Sequence, residues 1–219
     1  MSATLPMLRR RLGDASASVS QQLAEARILA VRARCRAIKN WLGDEIHGYA
    51  EGACLPAWRQ GLAGQVVIRS PHYGWVLAPL EAHEHRRLSL SNLYAPVHEI
   101  EARLADAYRR DTVRHPLPPA RLAAIRQAGN LSVEAAVTVP AQAYYHVLQQ
   151  LRASLAAWLD AVHAAAPGVW QASGPESGTV DEPARYWQAP AQDVLESLQT
   201  ESRGEPRRRP LFPRLRPSA

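Results

Sequence analysis

The chain has 219 residues, 47% of them hydrophobic and 21% charged, with two cysteines and a formal net charge of +6. That length suits one well-buried domain with appendages or two small domains, and two cysteines exclude a disulfide framework. From Arg203 to the end there are six arginines and one glutamate, so nearly all the net charge sits on the C-terminal segment and the rest is close to neutral. No apolar run is long enough for a membrane span.

Along the chain, Met1 to Asp14 places Arg9, Arg10 and Arg11 after a few apolar residues, with no hydrophobic core of secretory length. No signal peptide is expected, and the location is read as cytoplasmic. Ser18 or Ser20 is placed to cap a helix with Leu23, Ala26, Ala30 and Ala33 on one face. Ile38, Trp41, Leu42, Ile46 and Tyr49 continue at helical spacing, and Gly48 suits the left-handed residue that closes a last turn. Nothing between Cys35 and Lys39 forces a break, so the two stretches read as one bent helix.

Residues 65–68 and 75–77 are rich in branched and aromatic side chains, and Ser70-Pro71-His72-Tyr73-Gly74 between them reads as a hairpin turn. Pro96 opens a helix carrying Val97, Ile100, Leu104 and Ala107 on one face. Leu131, Val133, Ala135, Val137 and Val139 alternate with smaller or polar residues after Gly129-Asn130, which predicts a third strand. A long helix from about Pro140 to Ala165 carries Tyr144, Leu148, Leu151, Leu155, Trp158 or Leu159, and Val162 as a seam. Its expected partner is the N-terminal helical part of the same chain.

Together these elements predict an α+β fold, with helices on a small, mainly antiparallel sheet in a domain over residues 1–167. Residues 168–219 read as a low-complexity Pro/Arg-rich tail, disordered and basic, with one weak helical turn at Asp193 to Leu198.

Chemistry-bearing motifs are sparse. There is no glycine-x-serine-x-glycine elbow and no phosphate-cradling glycine loop. His83-Glu84-His85 is the most metal-like cluster. On an extended segment His83 and His85 would point the same way, with His72 or His98 as further ligands. The competing reading, a solvated charged loop over His83 to Arg87, is preferred, and no metal or other cofactor is expected. His47 and Glu45 would face different directions on a helix, His146 and His163 read as surface residues, and Cys54 has no neighbouring base. The pairs Asp44–Glu45 and Glu99–Glu101 lack any sequence neighbour that would tune them.

Two binding features remain. Tyr49, Trp58, His72, Tyr73 and Trp75 form an aromatic set, mostly core by the habit of large rings, whose exposed remainder with Arg59 would make a recognition patch. Arg207, Arg208, Arg209, Arg214 and Arg216 form an arm that would attract nucleic acid through counterion release.

The run Trp41, Glu45, Gly48-Tyr49, then Leu55-Pro56-Ala57-Trp58-Arg59, then Gly74-Trp75 resembles the AbiTii-type abortive-infection domain of bacterial anti-phage defence. In that family a helix with a tryptophan-to-glutamate-to-glycine-tyrosine signature leads to a leucine-proline-aromatic-arginine step and a short sheet. Two departures stand out: a glycine-type break between the first two helices is absent at Arg34 to Arg36, and the chain after Pro167 lies outside the resemblance. The resemblance implies a defence component acting on a phage or host protein, or with a neighbouring defence-system protein, and names no substrate. The alternatives are a nucleic-acid-binding regulator that uses the arginine tail and a metal-dependent hydrolase or nuclease. No membrane partner is expected, and the sequence leaves the oligomeric state open.

Overall fold

The computed structural model describes residues 5–14, 16–32, 35–107, 111–115, 117, 119–128 and 134–165. The expectations for Gly129 to Val133, for the boundary near Pro167 and for the arginine tail lie outside these residues. Among the described residues the fold is α+β: seven α-helices and two antiparallel sheets.

The larger sheet holds four strands in the order β3-β2-β6-β5: β2 (Gln65–Ser70), β3 (Gly74–Leu77), β5 (Thr112–His115) and β6 (Ala135–Pro140). The expected hairpin is β2–β3, closed by the pair Ser70↔Gly74, and the later strand joins it as predicted, with Val66 opposite Val137. The fourth strand, β5, lies on the far side of β6. Its four residues offer too little alternation to be read from sequence. A second, two-stranded sheet pairs β1 (Leu62–Ala63) with β4 (Leu90–Ser91).

Alternation along the strands gives the larger sheet two unlike faces. Val66, Ala135, Val137, Val139 and Val113 point to one side and are buried under the helices. Gln65, Arg69, Leu77, Glu134 and Arg114 point to the other and are exposed. Gly64 leads into β2 where an added Cβ would lie 2.5 Å from the Thr138 carbonyl oxygen, so the chain passes too close to β6 for any side chain.

The helices are α1 (Leu5–Leu12), α2 (Val19–Arg32), α3 (Arg36–His47), α4 (Ala82–Ser89), α5 (Val97–Ala107), α6 (Pro119–Ala128) and α7 (Ala141–Ala165); α4 to α7 pack against strands of the larger sheet, and α1 to α3 pack on other helices. The long helix packs on α1, α2 and α5 through a fully buried stripe that includes Tyr144, Leu151, Leu155 and Trp158. The seam is therefore filled from within the chain, as its width implied. No helix among the described residues is long and apolar enough to cross a membrane.

Two local expectations are corrected. The single bent helix is two helices, α2 and α3, packed against each other; α2 stops at Arg32, and the Cys35 amide bonds back to the Ala30 carbonyl. Leu23, Ala26 and Leu29 of α2 and Ile38 and Leu42 of α3 are all buried where the two helices pack. Second, His83-Glu84-His85 lies in helix α4 and is not extended. The expected cap at Ser18 forms, its Oγ accepting the Gln21 amide at 3.4 Å, and further partners come from elsewhere in the fold. The Glu101 carboxylate on α5 accepts the Val19 amide and the hydroxyls of Ser18 and Ser20, at 3.0 and 2.7 Å for the two serines. A negative charge there satisfies orphan amides and opposes the helix dipole.

Candidate functional site

The centre of the signature run is a buried ion pair. Helix α3 aims Glu45 inward one turn after Trp41, and a short 3-10 turn at Ala57–Arg59 aims Arg59 back at it. Both side chains have no solvent exposure, and Arg59 Nη2 donates to Glu45 Oε2. Arg59 Nη1 donates to the backbone carbonyls of Leu93 (3.0 Å) and Ala95 (2.8 Å). Tyr49 donates its hydroxyl to Glu45 Oε1 at 2.7 Å, and the guanidinium lies over the Tyr49 ring, 5.1 Å from its centre. Burial pushes the Glu45 carboxyl up, while Arg59 and the Tyr49 hydroxyl favour its ionised form. With the guanidinium in hydrogen-bonding contact, the carboxylate is the form that leaves no charge unpaired.

Gly48 makes this corner compact. It ends α3 at φ +87°, ψ 164°, a region essentially limited to glycine, and not in the left-handed helical conformation expected from sequence. A Cβ there would lie 3.0 Å from the Tyr94 carbonyl oxygen, the same oxygen that accepts the Tyr49 amide at 2.9 Å. Glu45, Arg59 and Gly48 thus fix the 93–96 segment onto the end of α3.

That segment forms one wall of a cavity of about 470 Å³, which is also lined by Tyr49, Ser91, Glu99, Arg103, His115 and Arg121. Its most buried lining residues are Ser91, 2% exposed, and His115, 9% exposed. His115 Nδ1 is 3.0 Å from the buried Tyr144 hydroxyl. Burial, reinforced by the positive charges of Arg103 and Arg121, lowers the His115 pKa to about 4, so the ring is neutral near pH 7; a hydrogen bond to the Asn92 backbone opposes the shift. Arg121 spends one nitrogen on the carbonyls of Leu88 and Leu90, closing the end of α4. Arg103 pairs with Glu99 one turn earlier at 2.9 Å and also meets the buried Tyr144 hydroxyl. The Ser91 hydroxyl is buried and unpartnered.

The residues singled out from sequence divide between two places. Tyr49, Trp58 and Arg59 belong to the buried corner; Trp58 is 9% exposed and Arg59 fully buried, so the expected exposed patch with Arg59 is not formed. His72, Tyr73 and Trp75 lie on the β2–β3 hairpin. Tyr73 is 83% exposed, with the His72 ring edge-on to it at 6.4 Å. Trp75, on edge strand β3, is half-buried beneath the guanidinium of Arg114, 5.1 Å from its ring centre, and Leu77 beside it is exposed. The outer sheet face is therefore an open surface of aromatic, aliphatic and arginine side chains.

The metal reading of His83 and His85 loses its geometric basis. Residues two apart on a helix point to nearly opposite sides, and His85 is engaged as Nε2 acceptor for the Val66 amide at 3.3 Å. Among the described residues no group of three or more histidine, cysteine or acidic side chains is placed to hold a metal ion. Cys35 is buried, which pushes its thiol up to about 11, and Cys54 is an exposed free thiol. Sequence reasoning missed Ser91, Arg103, His115 and Arg121, which come from four separate elements and share no motif. The carboxylates Glu45 and Glu101, read from sequence as untuned, each have partners supplied by another element.

These features define a helix-covered antiparallel α+β domain, braced by a buried glutamate–arginine pair and open on one sheet face. A family model, AbiTii, matches residues 4–175. The chain belongs to the AbiTii family, whose name denotes abortive infection, a form of anti-phage defence. The match extends beyond Pro167, the end of the resemblance in sequence. No curated protein and no solved structure matches the chain.

Proposed function

We propose that this protein is a bacterial abortive-infection component that acts in the cytoplasm through contacts with a phage, host or neighbouring defence-system protein. Family membership over residues 4–175 carries the reading. The open outer face of the sheet supports the choice of surface. Among the described residues, edge strand β3 has a strand neighbour on one side only, and Tyr73, Trp75, Leu77 and Arg114 around it combine aromatic, aliphatic and cationic chemistry. Aromatic and arginine side chains are the types that most often anchor protein interfaces.

The test is a phage challenge comparing the intact chain with a Tyr73→Ala, Leu77→Ala double variant of unchanged melting temperature. Protection by the intact chain and its loss in the variant support the proposal. Unchanged plaquing and burst size across diverse phages, with neighbouring genes present, would overturn the defence role. Full protection by the double variant would overturn the choice of surface.

A second reading, nucleic acid held by Arg207, Arg208, Arg209, Arg214 and Arg216, rests on the concentration of charge after Arg203. Deleting residues 203–219 should then flatten the salt dependence of binding, since each lost phosphate contact removes about one released counterion. An unchanged slope would end this reading.

A further inference from the structure

Between Glu25 and Asp44 the chain carries five cationic side chains, Arg27, Arg32, Arg34, Arg36 and Lys39, and no acidic one. The residues before Arg203 are close to neutral as a whole, so an acidic excess elsewhere balances this stretch and the charge is unevenly distributed. The fold concentrates it further. Helices α2 and α3 pack against each other, and the Cys35 amide bonds to the Ala30 carbonyl at 2.9 Å, so the last turn of α2 and the first turn of α3 meet at one junction. Arg32, Arg36 and Lys39 are exposed there, and among the described residues none of the three pairs with a carboxylate. The arginines of α1 differ, since Arg9 pairs with Asp160 and Arg11 with Glu25.

The same junction exposes aliphatic surface. Helix α2 buries Leu23, Ala26, Leu29 and Ala30, and its opposite face carries Ala24, Ile28, Val31 and Arg32. Ile28 is 48% exposed and Val31 is 51% exposed, one turn apart. Aliphatic side chains add little to a contact with the phosphates of a nucleic acid. At a lipid interface they enter the acyl boundary while neighbouring arginine and lysine heads stay with the anionic headgroups. Cations and aliphatics on one face therefore favour a membrane surface over a polynucleotide.

We propose that the α2–α3 junction docks the protein peripherally on an anionic lipid bilayer, with Arg32, Arg36 and Lys39 on the headgroup phosphates and Ile28 and Val31 at the acyl boundary. Such a contact needs no spanning helix, and it departs from the expectation of no membrane partner. Each cation held near an anionic surface strengthens partition by about fivefold, so three of them suffice for a measurable contact. The outer sheet face is built by other elements and stays free for a protein partner.

Flotation of the full chain with vesicles of equal parts phosphatidylcholine and phosphatidylglycerol, and with vesicles of phosphatidylcholine alone, tests this. Binding to the anionic vesicles is expected, weakening as salt rises. The arginines after Arg203 are present in every variant, so differences between variants report the junction. Replacing Arg32, Arg36 and Lys39 together by glutamine should weaken partition by about a hundredfold. Arg86→Gln with Arg87→Gln, which removes exposed charge on α4, should weaken it far less. Ile28→Ser with Val31→Ser should weaken it by about tenfold at unchanged net charge. Arg32→Lys with Arg36→Lys, which keeps the charge, should bind as the intact chain does. All variants are compared at unchanged melting temperature. No binding to the anionic vesicles at low salt would overturn the proposal, and so would equal partition by the triple variant and the intact chain. A short DNA duplex bound more tightly than the vesicles, and lost in the triple variant but not in the Ile28 and Val31 variant, would assign the junction to nucleic acid instead. None of these outcomes bears on the sheet-face reading, which is tested by phage challenge.

Discussion

Glu45 and Arg59 lie fourteen residues apart in sequence, have fully buried side chains, and pair inside the core of the domain. Their contact joins the end of α3, the 3-10 turn and the 93–96 segment. Trp41, Glu45, Gly48, Tyr49 and Arg59 build a corner, and the surfaces available to ligands and partners are what that corner holds in place.

Breaking the pair from one side strands a buried charge. Glu45→Gln and Arg59→Met should each lower stability by about 3–5 kcal/mol. The double variant should cost clearly less than the sum, because no unpaired charge remains. Urea denaturation of the four proteins measures the coupling, and additive losses would show that the pair is not the bracing contact.

Gly48 and Gly43 lie in the same helical region and should respond oppositely to alanine. At Gly48 the positive φ and the nearby Tyr94 carbonyl and Pro96 ring make Gly48→Ala cost about 1–3 kcal/mol. At Gly43 nothing lies within 4 Å of an added Cβ, so Gly43→Ala should stabilise helix α3 by about 0.5–1 kcal/mol. Thermal melts of the two variants check the sign of each.

Glu101 and Glu99 are neighbours on α5 with different duties. Glu101→Ala removes the cap of α2 and should cost about 0.5–2 kcal/mol. Glu99→Ala breaks only a solvent-screened pair with Arg103, worth about 0.3–0.5 kcal/mol at most. Equal melting temperatures for the two variants would contradict this division.

His115 makes the protein sensitive to mild acid. Its folded pKa, about 4, lies below the ordinary value of 6.5, so between these pH values the unfolded chain takes up a proton that the folded chain does not. Its contribution to stability is complete above about pH 6.5 and is lost as the pH falls toward 4, for a total of about 3 kcal/mol. Arg103, Arg121, Tyr144 and the Asn92 backbone are the groups that face it. His115→Gln should flatten the decline between pH 6.5 and 4 in denaturation curves, and a parallel decline in both proteins would refute the assignment.

The sequence by itself determined the elements whose periodicity is long and clean: the face of α3, the β2–β3 hairpin, α5, the pairing of β6 with that hairpin, and the long α7. It also carried the family, through Trp41, Glu45, Gly48, Tyr49 and Arg59. Short or charged segments escaped it. Strand β5 is four residues long, and α4 contains His83-Glu84-His85, whose polar character reads equally as loop. Tertiary structure alone decided which polar residues are inside. Arg59 resembled a surface contact because burial of arginine is costly, and only the arrival of Glu45 and two carbonyls from other segments makes that burial tolerable. The same holds for Ser91, Arg103, His115 and Arg121. Each is an ordinary residue in its own element, and the packing of α5, α6, β4 and β5 around one space is what gives them a shared environment.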